Sequence, residues 1–307
     1  MSNAGALVFA RYAYPPNELG YCGPSDSGAL LEYGSTGLAD RGLVDLAQRF
    51  EGAFPYLRLI AEANRVSDPL AEKVVRAYWV GNPLLEAVDP VRLTGFLSEG
   101  FQRRAGRLWS NVGSAALAGG LPHHNFHVFA VYPWAGLLRA GHEGPEPLTI
   151  LDRCRIRWGR VVHANGTTAL VRSRALEFDG RVVRPGVERT EEATVALNGR
   201  GFVHGLRPGD WVSLHWDWVC DRLSEGDVAN LRRYTLQAAN ATDPLNPRPG
   251  GWGLASNLAR WSPAAVWRSV TMASPGALGV RMTRSTGGIT TPSGDGRSPT
   301  TWSSSRS

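Results

Sequence analysis

The sequence predicts an α+β protein: a mainly helical N-terminal domain, a small β-barrel, and a closing helix. Two observations carry this. Apolar residues recur at helical spacing from Leu38 to about Arg107, and after residue 150 the texture changes to short branched or alternating runs punctuated by glycine turns. A third is the loss of periodicity beyond Ala241, in a stretch dominated by Ser, Thr, Gly, Pro and Arg. The boundaries that follow are a helical domain over 1–140, a linker over 141–150, a barrel over 151–240, and a basic, disordered tail over 241–307.

Each element has its own signal. Residues 1–37, with Pro15-Pro16-Asn17 and Gly20-Tyr21-Cys22-Gly23-Pro24, read as an ordered but irregular segment rather than a long helix. Leu43, Leu46, Ala47 and Phe50 fall at i, i+3, i+4 and i+7, one buried helix face. Tyr56 to Asn64 and Pro69 to Val80 repeat that pattern, with Asp68-Pro69 expected as cap and first helical residue. Asp89-Pro90 opens a further helix through about Arg107. The apolar and aromatic cluster from Leu121 to Leu138 fits a strand or a buried helix equally well. Residues 140–149, dense in Gly and Pro, read as linker. Beyond them, Arg160 to Val171, Ala175 to Val183, Glu192 to Leu197 and Trp211 to Leu214 are strand-like. Gly166, Asp179-Gly180, Asn198-Gly199 and Pro208-Gly209 mark turns. Ser224 to Ala239 closes the domain as an amphipathic helix with Val228, Leu231, Tyr234 and Thr235 on one face.

Charge and cysteine usage narrow the function classes. The net charge of +6 invites a nucleic-acid reading, but residues 241–307 alone carry seven arginines against Asp243 and Asp295. The barrel region, with 14 basic and 11 acidic side chains, lacks the strongly basic groove of a nucleic-acid binder. Three widely spaced cysteines, Cys22, Cys154 and Cys220, are no disulfide framework and fit a reducing compartment. With no signal-peptide pattern and no apolar run of ~20 residues, the chain reads as soluble and cytoplasmic, without membrane or nucleic-acid partners.

Two blocks about fifty residues apart carry the chemistry. The first is Cys154-Arg155-Ile156-Arg157-Trp158-Gly159-Arg160-Val161-Val162. The second runs from Gly209-Asp210-Trp211-Val212-Ser213-Leu214-His215 through Trp218, Cys220 and Leu223. Cysteine, glycine five places on and valine seven places on, followed by Gly-Asp-aromatic-Val-x-x-His, resembles the HypC/HupF family of [NiFe]-hydrogenase assembly chaperones. The resemblance covers about residues 151–239 and implies an OB-like barrel with a C-terminal helix. It implies transient carriage of an iron atom bearing cyanide and carbonyl ligands, and partnership with the hydrogenase large subunit and a HypD-like maturation protein. It assigns the iron-fragment ligands to Cys154 and His215. A thiolate is a strong donor to low-spin iron and imidazole a borderline one, so two such ligands would give a releasable grip.

The chain departs from that family where its cysteine lies in mid-chain, where Trp158 replaces a proline, and where an acidic-basic insert spans about Pro185 to Glu192. The helical region resembles an actinobacterial sequence type and adds no function of its own. Cys220, close to His215 on the same strand-like run, is a candidate accessory ligand, or simply a small buried hydrophobe.

A second candidate metal site is His123-His124-x-x-His127. On a helix, His123 and His127 at i, i+4 share a face, and Cys22 could join them as a ligand. The competing function is therefore a metal-dependent enzyme built around Cys22 and the His123/His124/His127 cluster, with the barrel as an accessory binding domain. No phosphate-binding glycine loop, Ser-His-Asp order or paired-carboxylate motif stands out, so the first expectation is a non-enzymatic factor.

Overall fold

The structure, a computed structural model, describes residues 4–105, 109–132, 137–138, 146–180 and 182–243. Nearly all of the expected tail and the first half of the expected linker lie outside the described residues. Those described belong to one compact unit. The architecture is α+β: a helical N-terminal region, then a five-stranded sheet and a C-terminal helix.

The N-terminal segment corrects the irregular reading. Ala4–Glu18 is a helix, α1, and Ser27–Thr36 is a second, α2. The physical reason is burial: Ala6, Val8, Phe9, Ala10, Tyr12, Ala13 and Tyr14 are all inside, so the helix has hardly any solvent face to produce an amphipathic period. Pro15 and Pro16 sit in its last turns, where they remove two N–H donors without breaking the element.

The next helices follow the apolar spacing: α3 (Arg41–Gln48), α4 (Phe54–Ala63) and α5 (Glu72–Trp79). The Asp40 side chain caps α3 by accepting from the Leu43 N–H. Asp68 does not cap α5; it accepts from Leu70 in a tight turn, and the helix begins later, at Glu72. Asp89 does cap α6 (Pro90–Ala105), accepting from the Val91 and Arg92 N–H groups. After α7 (Trp109–Leu117), the undecided cluster forms one helical turn, α8 (His124–Phe126), continuing directly into a π-turn, His127–Val131. Residues 146–150, expected in the linker, instead open helix α9 (Glu146–Cys154). Glu146 and Pro147 suit a first turn, and Leu151 and Cys154 anchor the helix in the core, which outweighs the Gly and Pro just before it.

The strands are β1 (Arg157–Ala164), β2 (Thr168–Phe178), β3 (Val183–Thr194), a short hairpin of β4 (Ala196–Leu197) and β5 (Arg200–Gly201), then β6 (Trp211–His215) and β7 (Trp218–Leu223). The main sheet runs β1-β2-β3-β7-β6 and closes on itself. Its β3–β7 seam is the single parallel pair Thr194 with Trp218. The acidic-basic insert is part of the long β2–β3 hairpin. Gly159 lies between Ser173 of β2 and Val212 of β6, and a Cβ there would sit 2.5 Å from a Val171 methyl. That contact explains why the first block needs glycine. Helix α10 (Glu225–Ala241) begins with a reciprocal Ser224–Asp227 capping box.

Helices and barrel share one apolar core. Helix α1 is the common element, packing against α5 on one side and against β6 and β7 on the other. Tyr14 meets Trp218 edge-on at 5.0 Å, and Tyr12 stacks on Trp79 at 5.5 Å. Among the described residues no helix is long and apolar enough to cross a membrane.

Candidate metal centre

The barrel brings Cys154 and His215 together through strand register. β1 pairs with β6 from Arg157 opposite Leu214. The chain just before β1 therefore lies beside the end of β6, where His215 stands. Cys154, the last residue of α9, occupies that position. A third side chain reaches the same point from the helical region. His124, Cys154 and His215 each offer one ligand atom, and these atoms all lie within 4.8 Å of one another. All three residues are buried, His215 completely.

His215 is oriented from α1. Its Nδ1 donates to the Tyr12 carbonyl at 2.6 Å. That carbonyl is free because its usual helical partner, the N–H four residues on, is absent at Pro16. The bond fixes the proton on Nδ1 and leaves Nε2 as a lone-pair acceptor. This atom is buried and has no hydrogen-bond partner. An imidazole anchored through one nitrogen to a backbone carbonyl is a common arrangement of a metal-binding histidine.

His124 is held differently. Its Nε2 donates to the Cys154 carbonyl at 2.9 Å, and its Nδ1 faces the Tyr78 hydroxyl at 3.3 Å. Asn125 fixes the turn that carries it. The Asn125 amide donates to the Ile156 carbonyl and to Thr235 of α10, and its oxygen accepts from the Ile156 N–H at 2.7 Å. Consecutive residues of α8 thus grip consecutive peptide groups after α9. The Trp79 ring lies against both imidazoles, 4.7 Å from His124 and 5.8 Å from His215, and the two imidazoles meet edge-on at 5.0 Å.

The residue after His215 is strained. Trp216 has φ +51°, a left-handed conformation uncommon for a bulky side chain. It is held by its N–H donating to the Arg153 carbonyl and its carbonyl accepting from Arg157, both at 2.7 Å. Tyr21 stacks on its indole at 4.4 Å. Arg157 also pairs with Glu191 at 3.3 Å, while Asp152 receives Arg155 and Arg189 at 2.9 Å each. The barrel side of the site is thus backed by three guanidinium groups and two carboxylates.

Burial sets the protonation states. It lowers the His124 pKa to about 4. It lowers that of His215 as well, with the neighbouring His124 acting in the same direction. Burial pushes the Cys154 thiol up, as does Cys22, while the Trp216 indole opposes them. Near neutrality the group is therefore two neutral imidazoles and one protonated thiol. Such a thiol is a poor nucleophile. It ionises when a metal ion replaces its proton, and the N₂S set suits a borderline or soft metal.

Of the other expected ligands, His127 bonds through Nδ1 to the Tyr56 hydroxyl at 2.8 Å, and His123 caps α8, its Nδ1 accepting from the Asn125 N–H. Neither belongs to the group, nor does Cys22, which is half-buried beside it. Cys220 is buried on β7, its thiol directed to the Trp218 carbonyl at 3.7 Å. The i, i+4 spacing of His123 and His127 does not produce a shared face because the helix starts only after His123 and widens into a π-turn at His127. Sequence reasoning placed Cys154 and His215 as a pair but left His124 in a separate cluster, and it did not single out Tyr78, Asn125 or the Tyr12 carbonyl. The missing proline N–H was the one local signal for that carbonyl.

No match was found among curated proteins, and none among solved structures. One family, described as of unknown function, matches residues 1–247, which takes in the helices and the barrel together. The chain belongs to that family, DUF6390.

Proposed function

We propose that this protein is a non-enzymatic, cytoplasmic [NiFe]-hydrogenase assembly factor of the HypC type. It grips the large-subunit precursor or carries its iron fragment on Cys154 and His215, in concert with a HypD-like protein. The observation that carries the reading is convergence. The two residues assigned from separate sequence blocks lie in one buried group, with a histidine lone pair left open beside a thiol. The donor set fits the cargo: thiolate and neutral imidazole both bind low-spin iron, and neither imidazole competes as a cation. The protein's own residues orient the donors, exclude water and keep the thiol protonated until cargo arrives.

The test is anaerobic co-purification of the tagged chain from its native cells, with infrared spectroscopy in the cyanide and carbonyl stretching region. The expected result is hydrogenase large subunit or HypD-like protein in the eluate, with bands lost in both Cys154→Ala and His215→Ala. A clean spectrum with hydrogenase still present leaves a docking chaperone without cargo. Absence of both bands and hydrogenase partners overturns the proposal.

The competing reading, a metal-dependent enzyme, gains one observation, the arrival of His124 from the histidine cluster. The absence of Cys22, His123 and His127 from the group weighs against it.

A further inference from the structure

We propose that His124 is a third ligand, and that the chain itself forms an N₂S site taking one borderline divalent metal ion such as Zn²⁺, Co²⁺ or Fe²⁺ directly. The inference shares the Cys154–His215 pair with the carrier reading, but it requires neither hydrogenase nor cyanide and carbonyl ligands.

Three independent features point to a ligand here. His215 Nε2 is a fully buried acceptor with no hydrogen-bond partner, an arrangement that ordinarily costs stability and that a ligand at its lone pair would satisfy. The ligand atoms of three residues on three separate elements, α8, α9 and β6, come within 4.8 Å of one another. Each histidine is also held through a fixed partner: His215 by the Tyr12 carbonyl, His124 by Tyr78. Such support around the ligands is what separates a built metal site from a chance cluster.

His124 is the element that changes. Without metal, its Nε2–H donates to the Cys154 carbonyl while Nδ1 accepts from the Tyr78 hydroxyl. On binding, Nε2 gives up its proton and takes the metal. A proton is gained at Nδ1, which then donates to the Tyr78 oxygen. The Cys154 S–H bond breaks as the sulfur–metal bond forms, and that proton leaves to solvent. The net change is one proton released and no change of oxidation state. Cysteine with two neutral histidines satisfies three of four tetrahedral positions, a set matched to Zn²⁺ and its analogues.

The helical region thereby supplies a ligand that a barrel alone lacks. Asn125, the residue after His124, makes this possible by bonding to Ile156 and to Thr235 of α10.

The experiment uses the full chain, stripped with chelator and titrated anaerobically with Co²⁺ alone, read by the thiolate-to-cobalt charge-transfer band. The wild type is expected to take a single Co²⁺ with this band and to melt at a higher temperature when loaded. Cys154→Ser should lose the band, whereas Cys22→Ala and Cys220→Ala should keep it. His124→Gln retains an amide able to donate to the Cys154 carbonyl, so it should fold. It should bind Co²⁺ on the order of 100-fold more weakly, and Tyr78→Phe about 10-fold more weakly. Melting of the metal-free variants checks their folding, and Tyr78→Phe carries the test if His124→Gln does not fold. A wild type without the band overturns the inference, and so does His124→Gln or Tyr78→Phe binding as tightly as wild type. Hydrogenase co-eluting with a chain that gives no cobalt band sinks this inference alone. A cobalt band in a chain that never meets hydrogenase sinks only the carrier reading.

Discussion

The two walls of the site are built by opposite means. On the barrel side, strand register places His215, and buried ion pairs around Arg155, Arg157, Asp152 and Glu191 hold the segment that carries Cys154. On the helical side, His124 rides on a single turn fixed by neutral hydrogen bonds through Asn125 and Tyr78. The contrast teaches that a side chain can be held firmly without regular structure, provided consecutive polar groups are satisfied. It also means that the two walls should fail under different stresses.

Acid should produce the largest effect, and it bears mainly on the helical wall. His123 and His127 have pKa values lowered by burial to about 3, His124 to about 4, and His215 is lowered as well. The unfolded chain takes up these protons near its ordinary histidine pKa of ~6.5, whereas the folded chain does not. The stability is therefore fully present above about pH 6.5 and declines as pH falls toward the folded values, by at most ~1.4 kcal/mol per pH unit for each histidine. Urea midpoints compared at about pH 7.5 and about pH 5.5 should differ clearly; a flat profile would contradict the burial of the cluster.

The barrel wall should break through charge. Arg157 is 1% exposed, and its removal in Arg157→Met leaves Glu191 with the more exposed Arg189, at 3.5 Å, as its remaining cationic partner among the described residues, and leaves the Trp216 carbonyl without its donor. We expect a loss of about 3–5 kcal/mol, the range for one half of a buried pair. Replacing Glu191 by Gln at the same time should return part of that loss, and a double-mutant cycle measures how much.

The matching test of the helical wall is smaller. Asn125→Ala removes the partners of the Ile156 N–H and carbonyl and of Thr235 in the interior. A cost of about 2–3 kcal/mol follows from leaving such groups unsatisfied. Equal losses in Arg157→Met and Asn125→Ala would erase the distinction between the walls; chemical denaturation of both decides it.

The same contrast governs what could be read from the sequence. Cys154 and His215 were legible as a pair through the two-block pattern that resembles the HypC/HupF family, and strand pairing is what turns that spacing into proximity. A glycine forced by the contact with Val171, a turn glycine at Gly209 and a histidine at the end of β6 leave a pattern. The helix α1 was not legible, since a buried helix has no amphipathic period and its two prolines mimic a loop signal. Helix α9 was hidden by the Gly and Pro that precede it. His124 was visible as a residue but not as a neighbour of Cys154 and His215: its place depends on a short turn and a π-turn, neither of which follows the 3.6-residue repeat used to pair His123 with His127.

The smallest effect on stability should come from the residue that links α1 to His215. Pro16→Ala restores an N–H four residues beyond Tyr12, in position to bond the carbonyl that now accepts from His215 Nδ1. The helix gains a bond and His215 loses the exclusive use of its anchor, so the net change in stability should stay within about 1 kcal/mol. The imidazole should respond more than the fold. Nitrogen NMR of His215 should report a single Nδ1–H tautomer in the wild type and a mixture in Pro16→Ala, with a population of Nε2–H that cannot ligate through that atom. An unchanged tautomer would mean that the barrel alone orients His215. The contribution of α1 would then be limited to packing, and the barrel wall would stand without help from the helices.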